Sequence, residues 1–542
     1  MDTDMVTDTD VVIVGGGPNG LMLACELALA GVRPVVLESR PLPSEEPKAN
    51  GLLGQVVKLL DHRGLYERLG GVPGPPRPNS AYFMFAALPM NLGLLPDSPI
   101  HALAVPQQRI VEVLAERAAE LGVELRRGHE VVALSQSKDG DEAEDAQSVT
   151  VDVAAPDGKY RLTARYLVGA DGAHSITRKL SGIGFPGITY DRTTNRTAHA
   201  TVPADWVDPT SGALDIPGYG AVLPFLPHRT DHGGFSYAPF PGHPPLISTV
   251  EWDQPSTEEP MSLDELRASV RRVLGADLPL GPPGGEGPHV LRRLSGGNTR
   301  IAEWFRDRRV FLIGDAAHIY ATGGGPGLNL GLQDAANLGW KLAAELRGGA
   351  PAGLLDSYQR ERRQAAHRMV VNAQAQAALT APGSDVTALR ELFGELLEHP
   401  STVGHLAALT AGADLRYGPT DPTDHPLVGR FTPDLELRTP DGVVRLAELT
   451  GTARPLLLDL TEDGAAAGAL APWRDRVDVV TAQAHSPGGE VTALLLRPDC
   501  HVAWASAAPR LDPADLAALR AAAERWFGAA GAAGQGPLVG DV

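Results

Sequence analysis

The N-terminal part of the chain combines apolar runs with a glycine-rich turn. Val11 to Val14 show no polar–apolar alternation, which predicts a strand buried on both faces. Residues 21–30 (LMLACELALA) predict a well-packed helix, and residues 34–37 (PVVL) predict a second buried strand. This order of elements predicts a βαβ unit within an α/β fold.

Two later apolar runs have the same form. Residues 166–169 lead into a turn that contains Asp171, and residues 309–313 lead into Gly314 and Asp315. In an open α/β sheet, ligands bind beyond the carboxyl ends of the strands. The three strand ends are therefore expected to converge on one extended ligand.

The middle of the chain has a different pattern. Between residues 188 and 294, short β-rich pieces alternate with Pro/Gly turns, which indicates a separate β-rich layer covering a cleft. One helix is predicted there, from a capping box at Ser262 to Leu274. Residues 427–542 predict a further small α/β unit.

Composition and charge argue against some classes of function. The chain has 542 residues and a formal net charge of −19, so a nucleic-acid footprint is not expected. Its two cysteines, Cys25 and Cys500, form no CxxC motif and suit a reducing compartment. No apolar run approaches the ~18 residues of a membrane span, and the start of the sequence is acidic rather than signal-like. We expect a cytoplasmic protein without membrane partners.

The first glycine-rich turn has the spacing Gly15-x-Gly17-x-x-Gly20, and an acid, Glu38, ends the next strand. Gly15 permits the tight turn, Gly17 lets the backbone approach a pyrophosphate, and Gly20 brings helix and strand together. The pyrophosphate would lie on the helix N-terminus, and Glu38 would bind ribose hydroxyls. Because a carboxylate here argues against a 2′-phosphate, the motif predicts NAD or FAD.

A loop at residues 322–329 distinguishes between these two ligands. It is glycine-rich and opens a predicted helix over residues 330–346. The partial positive charge of a helix N-terminus suits a reduced flavin, in which negative charge accumulates near N1 and O2. Asp315 would reach ribityl or ribose hydroxyls. Since an NAD site would not require this third element, FAD is the predicted cofactor.

Together these motifs resemble those of the class A FAD-dependent aromatic hydroxylases, which have the para-hydroxybenzoate hydroxylase fold. The segment from Gly314 to Leu342 (GDAAHIYATGGGPGLNLGLQDAANLGWKL) is similar to the branch of phenol hydroxylase-like and aromatic polyketide hydroxylases. The resemblance covers nearly the whole chain. It implies a Rossmann-like FAD-binding domain, a β-rich substrate-covering domain and a C-terminal thioredoxin-like domain.

The resemblance also implies domain boundaries. The FAD-binding domain would take residues 1–187, with substrate-side strands interspersed near residues 78–105. Residues 188–295 would form the covering domain, and residues 296–424 the second part of the FAD-binding domain with long helices. Residues 425–542 would be the thioredoxin-like domain. Because it has no CxxC motif, we expect a structural or dimer-packing role for it, in a monomer or a homodimer.

Individual residues receive roles from the resemblance. Gln107 would contact the ribityl–phosphate region, backbone atoms of Val131 would contact the adenine, and Asp171 belongs to a motif linked to both FAD and NAD(P)H. Backbone groups of residues 327–329 would face the isoalloxazine. The predicted cofactor-binding residues are Gly15, Gly17, Pro18, Asn19, Gly20, Glu38, Ser39, Arg40, Lys48, Gln107, Val131, Asp171, Gly314, Asp315, Pro326, Gly327, Leu328 and Asn329.

Three positions depart from the family pattern. Thr322 and Pro326 stand where the family usually has Pro and Gln, and Lys48 stands where Arg is often found. Lysine keeps the positive charge but lacks the bidentate fork of arginine. FAD binding is still expected.

The implied reaction is a monooxygenation. NADPH or NADH would reduce FAD while docking transiently, since the sequence has no second nucleotide fingerprint. The reduced flavin would add O2 to form a C4a-hydroperoxide, whose distal oxygen passes to an electron-rich ring carbon. The protein would orient the substrate and exclude water. Two alternatives remain: Baeyer–Villiger-type oxygen insertion on the same fold, and a non-catalytic FAD- or NAD-binding protein whose C-terminal domain is an interaction module.

Candidate substrate contacts come from the covering layer. Its predicted aromatic walls are Phe225, Phe235, Tyr237 and Trp252. The layer is apolar and has few lysines, which suits a bulky, mostly neutral aromatic of polycyclic or polyketide origin. His232 and Tyr237 are candidates for a direct role toward a phenol. No other catalytic residue is predicted, because the flavin carries the chemistry, and no metal site is predicted.

Overall fold

The computed structural model describes residues 7–531, except residues 45, 47, 137–147, 241, 256, 286–287, 322–325, 419–420, 441 and 485–490. The first four residues of the glycine-rich loop at 322–329, including Thr322, therefore lie outside the described residues.

The elements of the described part have the following bounds. The strands are β1 (Thr7–Val14), β2 (Pro34–Glu38), β3 (Gly51–Leu53), β4 (Tyr82–Phe85), β5 (Leu88–Asn91), β6 (Ala102–Ala104), β7 (Glu124–Arg127), β8 (Glu130–Gln136), β9 (Val149–Ala155), β10 (Gly158–Gly169), β11 (Gly187–His199), β12 (Leu214–Ile216), β13 (Gly220–Val222), β14 (His228–Thr230), β15 (Gly233–Ala238), β16 (Leu246–Trp252), β17 (Leu291–Ile301), β18 (Arg306–Asp307), β19 (Val310–Leu312), β20 (His318–Ile319), β21 (Glu436–Thr439), β22 (Gly442–Arg445), β23 (Leu456–Asp459), β24 (Asp478–Thr481), β25 (Gln483–Ala484), β26 (Ala493–Leu496) and β27 (Val502–Ser506). The helices are α1 (Pro18–Leu29), α2 (Gln55–His62), α3 (Gln107–Glu120), α4 (Ile176–Leu180), α5 (Leu263–Leu274), α6 (Pro326–Leu346), α7 (Leu354–Thr380), α8 (Ser384–Leu396), α9 (Pro400–Ala411), α10 (Ala465–Ala469) and α11 (Pro513–Phe527).

The first large sheet has the strand order β18-β19-β10-β1-β2-β7, and β9 and β8 extend it from β10. β1 runs parallel to β2 and β10, and β10 runs parallel to β19. Val11 and Ile13 face a core shared with α1 and α6. Val12 and Val14 face a second core shared with β8 and β9. The apolar run of β1 is thus buried on both faces, as its sequence predicted.

The second large sheet, the covering sheet, has the order β14-β15-β16-β11-β17-β20. Helix α5 packs on one face of it and buries Ile247. The predicted N-cap is present, because Ser262 Oγ accepts a hydrogen bond from the Glu265 amide at 3.1 Å. The reciprocal half of the predicted capping box is replaced, since the Glu265 carboxylate accepts from Arg196 and Arg293 instead. β20, which pairs with β17, comes four residues after Gly314 and joins the covering sheet to the first sheet.

Helices α7 to α9 and the β4–β5 hairpin form a further layer. Phe85 of the hairpin stacks on Phe393 of α8 with ring centroids 5.9 Å apart. Residues of α9, including Val403 and Ala407, complete this core. The hairpin, which lies within the predicted substrate-side segment 78–105, is thereby packed against the C-terminal end of α7.

The C-terminal unit has a four-stranded sheet in the order β24-β23-β26-β27. β23 is parallel to β24 and antiparallel to β26, an arrangement that with α10 and α11 gives the thioredoxin-like architecture. The predicted fold class is confirmed. Among the residues that the structure describes, no helix is both long and apolar enough to cross a membrane.

Candidate active site

Three neighbouring parallel strands bring their carboxyl ends to one edge of the first sheet. Val14 of β1 is in register with Gly169 of β10, and Gly169 is in register with Leu312 of β19. Backbone hydrogen bonds continue just past these ends: the Ala170 amide donates to Val14 O at 2.8 Å and the Ile313 amide to Gly169 O at 3.0 Å. The predicted convergence of the three motifs is therefore present.

The three fingerprint glycines have different structural needs. Gly15 has φ +111°, and a Cβ there would lie 2.4 Å from Ala170 O. A Cβ on Gly20 would lie 2.0 Å from Gly15 O, so helix and strand meet without room for a side chain. A Cβ on Gly17 would meet no protein atom within 4 Å. Gly15 and Gly20 are thus required by the fold, whereas Gly17 borders open space at the N-terminus of α1.

Glu38 lies beside the fingerprint turn, as predicted. Its Oε2 accepts a hydrogen bond from the Gly16 amide at 2.7 Å, and its Oε1 accepts one from the Arg40 amide at 2.9 Å. A carboxylate has about four acceptor sites, so capacity for ribose hydroxyls is left. Ser39 and Arg40 are exposed next to it.

Asp315 occupies a cleft at the same edge. Its side chain is exposed to solvent, yet the surrounding protein raises the pKa of its carboxyl by burial, an effect that His318 and Lys48 partly offset. Both observations fit a carboxylate that is surrounded by protein atoms and open to solvent on one side, as in a cleft. A Cβ placed on Gly327 would lie 3.2 Å from Asp315 Oδ1, so the first turn of α6 borders the same cleft.

The first turn of α1 is in contact with α6 and with the turn at Gly314. The Asn19 side chain fills the space that a Cβ would need on Gly314 and on Gly331, at 1.9 and 2.5 Å from its Nδ2. Its Oδ1 is buried and has no hydrogen-bond partner among the described atoms. Asn329 of α6 accepts a hydrogen bond from the Leu53 amide at 3.1 Å, which ties the helix start to β3.

Asp171 has a local structural role. Its Oδ1 accepts a hydrogen bond from Ser175 Oγ at 2.5 Å, and its Oδ2 accepts from the Thr177 amide and hydroxyl at 2.9 and 3.0 Å. These bonds hold the start of α4. The link of Asp171 to NAD(P)H stays a prediction.

The remaining predicted cofactor residues surround this edge. Gln107 starts α3, and its amide donates to Ala49 O at 2.9 Å, next to Lys48. Val131 lies in β8, buried opposite Val153. Lys48 is exposed, its ammonium lies 3.5 Å from Glu46 Oε2, and its charge acts to lower the pKa of Asp315. Pro18 is the first residue of α1, and Pro326 and Leu328 lie in the first turn of α6.

The prediction that Phe235 and Tyr237 line the substrate is wrong. They are 1% and 2% exposed, in the core between the covering sheet and α5. Strand alternation explains this position. Phe235 pairs with Thr249 of β16, and Glu251, two residues further along β16, points to the same face of the sheet. That face is covered by α5, because Ser269 Oγ of α5 donates a hydrogen bond to Glu251 Oε2 at 2.5 Å. Tyr237 is therefore out of reach of a substrate in this structure.

The other predicted covering-layer residues have different positions. Trp252 alternates with Glu251 and lies, half-buried, on the sheet face away from α5. Phe225 is 45% exposed and meets Phe240 edge-on at 5.2 Å between ring centroids. His232 is exposed in the turn that joins the edge strand β14 to β15.

Sequence reasoning missed the other residues on the face with Trp252. Asn195 is paired with both Val250 and Leu294, which places these three side chains in one row across the sheet. Leu294 is 52% exposed. The alternation of residues along β16 indicates that Val250 and Trp252 share one face of the strand. It does not indicate which of the two faces α5 covers.

The residues at the sheet edge fit a flavin dinucleotide. The open backbone at Gly17 suits a pyrophosphate, the cleft-facing Asp315 suits ribityl hydroxyls, and the N-terminus of α6 lies beside Asp315. In the part of the chain that the structure describes, no group of three or more His, Cys, Asp or Glu side chains could hold a metal ion.

Comparison with known families gives matches over most of the chain. The model of the FAD binding domain matches residues 8–373, and the model described as aromatic-ring hydroxylase, C-terminal, matches residues 425–530. The first covers more than half of the 542 residues.

Individual relatives match along their whole length. A 12-dehydrotetracycline 5-monooxygenase/anhydrotetracycline 6-monooxygenase from Streptomyces rimosus subsp. rimosus is 42% identical, over 96% of this chain and 99% of the relative. The solved structure of an anhydrotetracycline hydroxylase from Streptomyces rimosus has a TM-score of 0.81 and 40% identity, covering 97% of this chain and 100% of that one. A dialkyldecalin synthase from Streptomyces rugosporus is 36% identical, over 97% of this chain and 100% of the relative. The arrangement of the sheet edge agrees with the two family matches and with these relatives. The chain belongs to the FAD-dependent aromatic-ring hydroxylases.

Proposed function

We propose that this protein hydroxylates a bulky polycyclic aromatic of polyketide type, with FAD as resident cofactor and NAD(P)H and O2 as co-substrates. The observation that carries the proposal is the shared edge at which Gly17, Asp315 and the N-terminus of α6 border one cleft. The tetracycline-directed relatives support the substrate class.

The residues have distinct parts in this proposal. The chemistry that FAD supplies in such a site is acceptance of a hydride and activation of O2. The backbone at Gly17 and the N-terminus of α1 bind the pyrophosphate, and Glu38 binds the adenosine ribose. The N-terminus of α6 stabilises negative charge at the opposite end of the ligand through its partial positive charge. Asp315, between them, orients the ribityl chain.

The substrate lies, in this proposal, against the face of the covering sheet that carries Trp252, Val250 and Leu294. This face is free of α5 and offers both apolar and amide groups, including Asn195. Such a surface holds a large neutral ring system by contact area and orients it with few polar groups. Excluding water from the cleft then favours transfer of oxygen to the ring.

The division of the chain at residues 187, 295 and 424 is part of the same proposal. β11 begins at Gly187 and β17 ends at Ile301, close to the proposed bounds, while β20 at His318–Ile319 joins the covering sheet from beyond them. The family matches end at residue 373 and resume at residue 425. A cytoplasmic location and a monomeric or homodimeric state stay predictions.

The test uses purified holoenzyme, NADPH and a panel of polycyclic phenols that includes anhydrotetracycline. We expect a yellow protein that NADPH bleaches and air restores, faster with an active phenol, and a product that carries one oxygen from ¹⁸O2. Protein stripped of FAD is the control. A ring hydroxyl supports hydroxylation, whereas an oxygen inserted into the ring indicates a Baeyer–Villiger outcome. A product of unchanged mass, or no flavin reduction with any compound, would overturn the proposal.

A further inference from the structure

The turn between β26 and β27 inserts charged side chains between the long helices of the FAD-binding half. Arg497 donates to Glu361 of α7 through both terminal nitrogens, at 2.8 Å each. Asp499 accepts a hydrogen bond from Asn337 of α6 at 3.0 Å. These four side chains are at most 5% exposed. The C-terminal unit is thus anchored to α6 and α7 by fully desolvated polar contacts.

The contacts on α6 continue along one face of the helix. Asp334, Asn337 and Lys341 are spaced i, i+3 and i+7, so they lie in one row. The Lys341 ammonium binds Glu361 and Asn337 Oδ1 at 2.8 Å each. We call this row, together with Glu361 and its neighbour Arg362 on α7 and with Arg497 and Asp499, the polar seam.

The electrostatics of the seam show how tightly its charges are matched. Burial lowers the pKa of Lys341 to about 8, although Glu361 opposes this. Burial alone would raise the pKa of Glu361, but Arg497 and Lys341 hold it at about 2. Removing one member would leave an uncompensated buried charge. The seam therefore holds its members in one arrangement.

The other end of the polar seam reaches Gly314, the residue before the cleft carboxylate Asp315. Arg362 Nε donates to Asp334 Oδ1 at 2.6 Å, and Asp334 Oδ2 accepts from the Gly314 amide at 3.0 Å. His318 Nε2 lies 2.7 Å from the same oxygen. Gly314 has φ +58° and immediately precedes Asp315, so Asp334 fixes the backbone from which the cleft carboxylate projects.

A second route joins the C-terminal turn to the same arginine. Arg362 Nη1 donates a hydrogen bond to the Tyr417 hydroxyl, and the Tyr417 ring packs on His501 with ring centroids 4.5 Å apart. His501 ends the turn that begins at Arg497. An unbroken set of contacts thus runs from His501 of the C-terminal unit through Tyr417, Arg362 and Asp334 to the amide of Gly314. Arg497 holds Glu361, which is the residue next to Arg362 on α7.

We propose that the C-terminal unit positions the flavin: its β26–β27 turn, acting through the polar seam and Tyr417, holds the Gly314–Asp315 backbone in the conformation that binds FAD. Arg497 and Tyr417 are positioning residues, since neither borders the cleft. The inference rests on the proposed function only for the binding of FAD. It gives the C-terminal unit, which has no CxxC motif, a role in the flavin site of the same chain.

The test compares variants of the full chain. Y417F removes only the hydroxyl that Arg362 uses, and R497K keeps the charge but loses the bidentate fork to Glu361. The control is D459N, since Asp459 is fully buried and its carboxylate accepts hydrogen bonds from Thr461 and Ala467, which both belong to the C-terminal unit. For each protein, the apoprotein is titrated with FAD, its melting temperature is measured, and the visible spectrum and midpoint potential of the bound flavin are recorded.

We expect Y417F and R497K to raise the FAD dissociation constant about fivefold and to shift the flavin spectrum and potential, because couplings along packed networks are of this size. D459N should melt earlier yet bind FAD as the wild type does. Wild-type affinity and spectrum in both Y417F and R497K would overturn the inference, as would equal weakening of FAD binding by D459N at the same loss of melting temperature. If R497K does not fold, the FAD affinity and flavin spectrum of Y417F alone test the inference. A wild-type protein that binds no FAD would instead contradict the proposed function.

Discussion

The two sides of the cleft are built by different means. On the cofactor side, parallel strands β1, β10 and β19 hold the site through backbone hydrogen bonds, and glycines permit the close approaches. On the covering side, ion pairs hold α5 against strands β11, β16 and β17 of the covering sheet. Arg196 binds Glu251 and Glu265 at 2.7 Å each, and Arg293 binds Glu265 at 2.6 Å.

The difference indicates how function is divided between the two sides. A surface made of backbone atoms depends little on the identity of its side chains, except where a Cβ would clash. The covering face presents side chains such as Trp252 and Leu294, which can change without changing the fold. Under the proposed function, cofactor identity would belong to the first side, and substrate selectivity to the second.

The largest expected effect comes from the backbone side. G15V adds a β-branched side chain at φ +111° and places a Cβ 2.4 Å from Ala170 O. Strain and clash together should cost about 5 kcal/mol of folding free energy and abolish FAD binding. Chemical denaturation and flavin content measure both. The matched control is G122V. Gly122 has φ +73°, and a Cβ there would meet no atom within 4 Å, so this variant should lose only the part of the folding free energy that is due to backbone strain. Equal losses in the two variants would contradict the close approach at Gly15.

The covering sheet should respond differently on its two faces. F235A empties a core position against α5 and should cost about 3–4 kcal/mol, with the KM for substrate nearly unchanged in the protein that remains folded. W252A, on the opposite face, should cost less than about 1 kcal/mol but raise the KM. Unfolding and steady-state kinetics separate these effects. A KM change in F235A without loss of stability would reverse the assignment of the faces.

Part of this difference was readable from the sequence and part was not. The positive φ of Gly15, the close approach of Gly20 to Gly15 and the Ser262 N-cap were predictable, because each involves only a few neighbouring residues. Phe235 looked as suitable for a substrate as Trp252 does, since the face of a strand is decided by its partners rather than by its residue type. The contact of Arg497 with Glu361 joins residues 136 positions apart, and no local pattern announces it.

Lowering the pH should destabilise the covering sheet and α5 before it destabilises the first sheet. Desolvation would raise the pKa of Glu251, but hydrogen bonds from Arg272 and Ser269 outweigh this and keep the pKa below its usual range. Because the folded pKa lies below the unfolded one, its stabilising effect is present above about pH 4.3 and is lost as pH falls through the folded value. Between pH 6 and 3.5, amide exchange protection of α5 should fall about fivefold more than that of β1. E251Q should show no such difference, and an equal fall in both elements of the wild type would contradict the account.

The most direct test of the backbone-built cofactor site is the apoprotein of G17A. The Cβ meets no protein atom within 4 Å, and φ −77° suits alanine, so the melting temperature should be unchanged or slightly higher. The same Cβ would occupy the space through which the pyrophosphate approaches the α1 N-terminus, so the FAD dissociation constant should rise about fivefold or more. Wild-type FAD affinity in a stably folded G17A protein would contradict the claim that FAD lies on this turn.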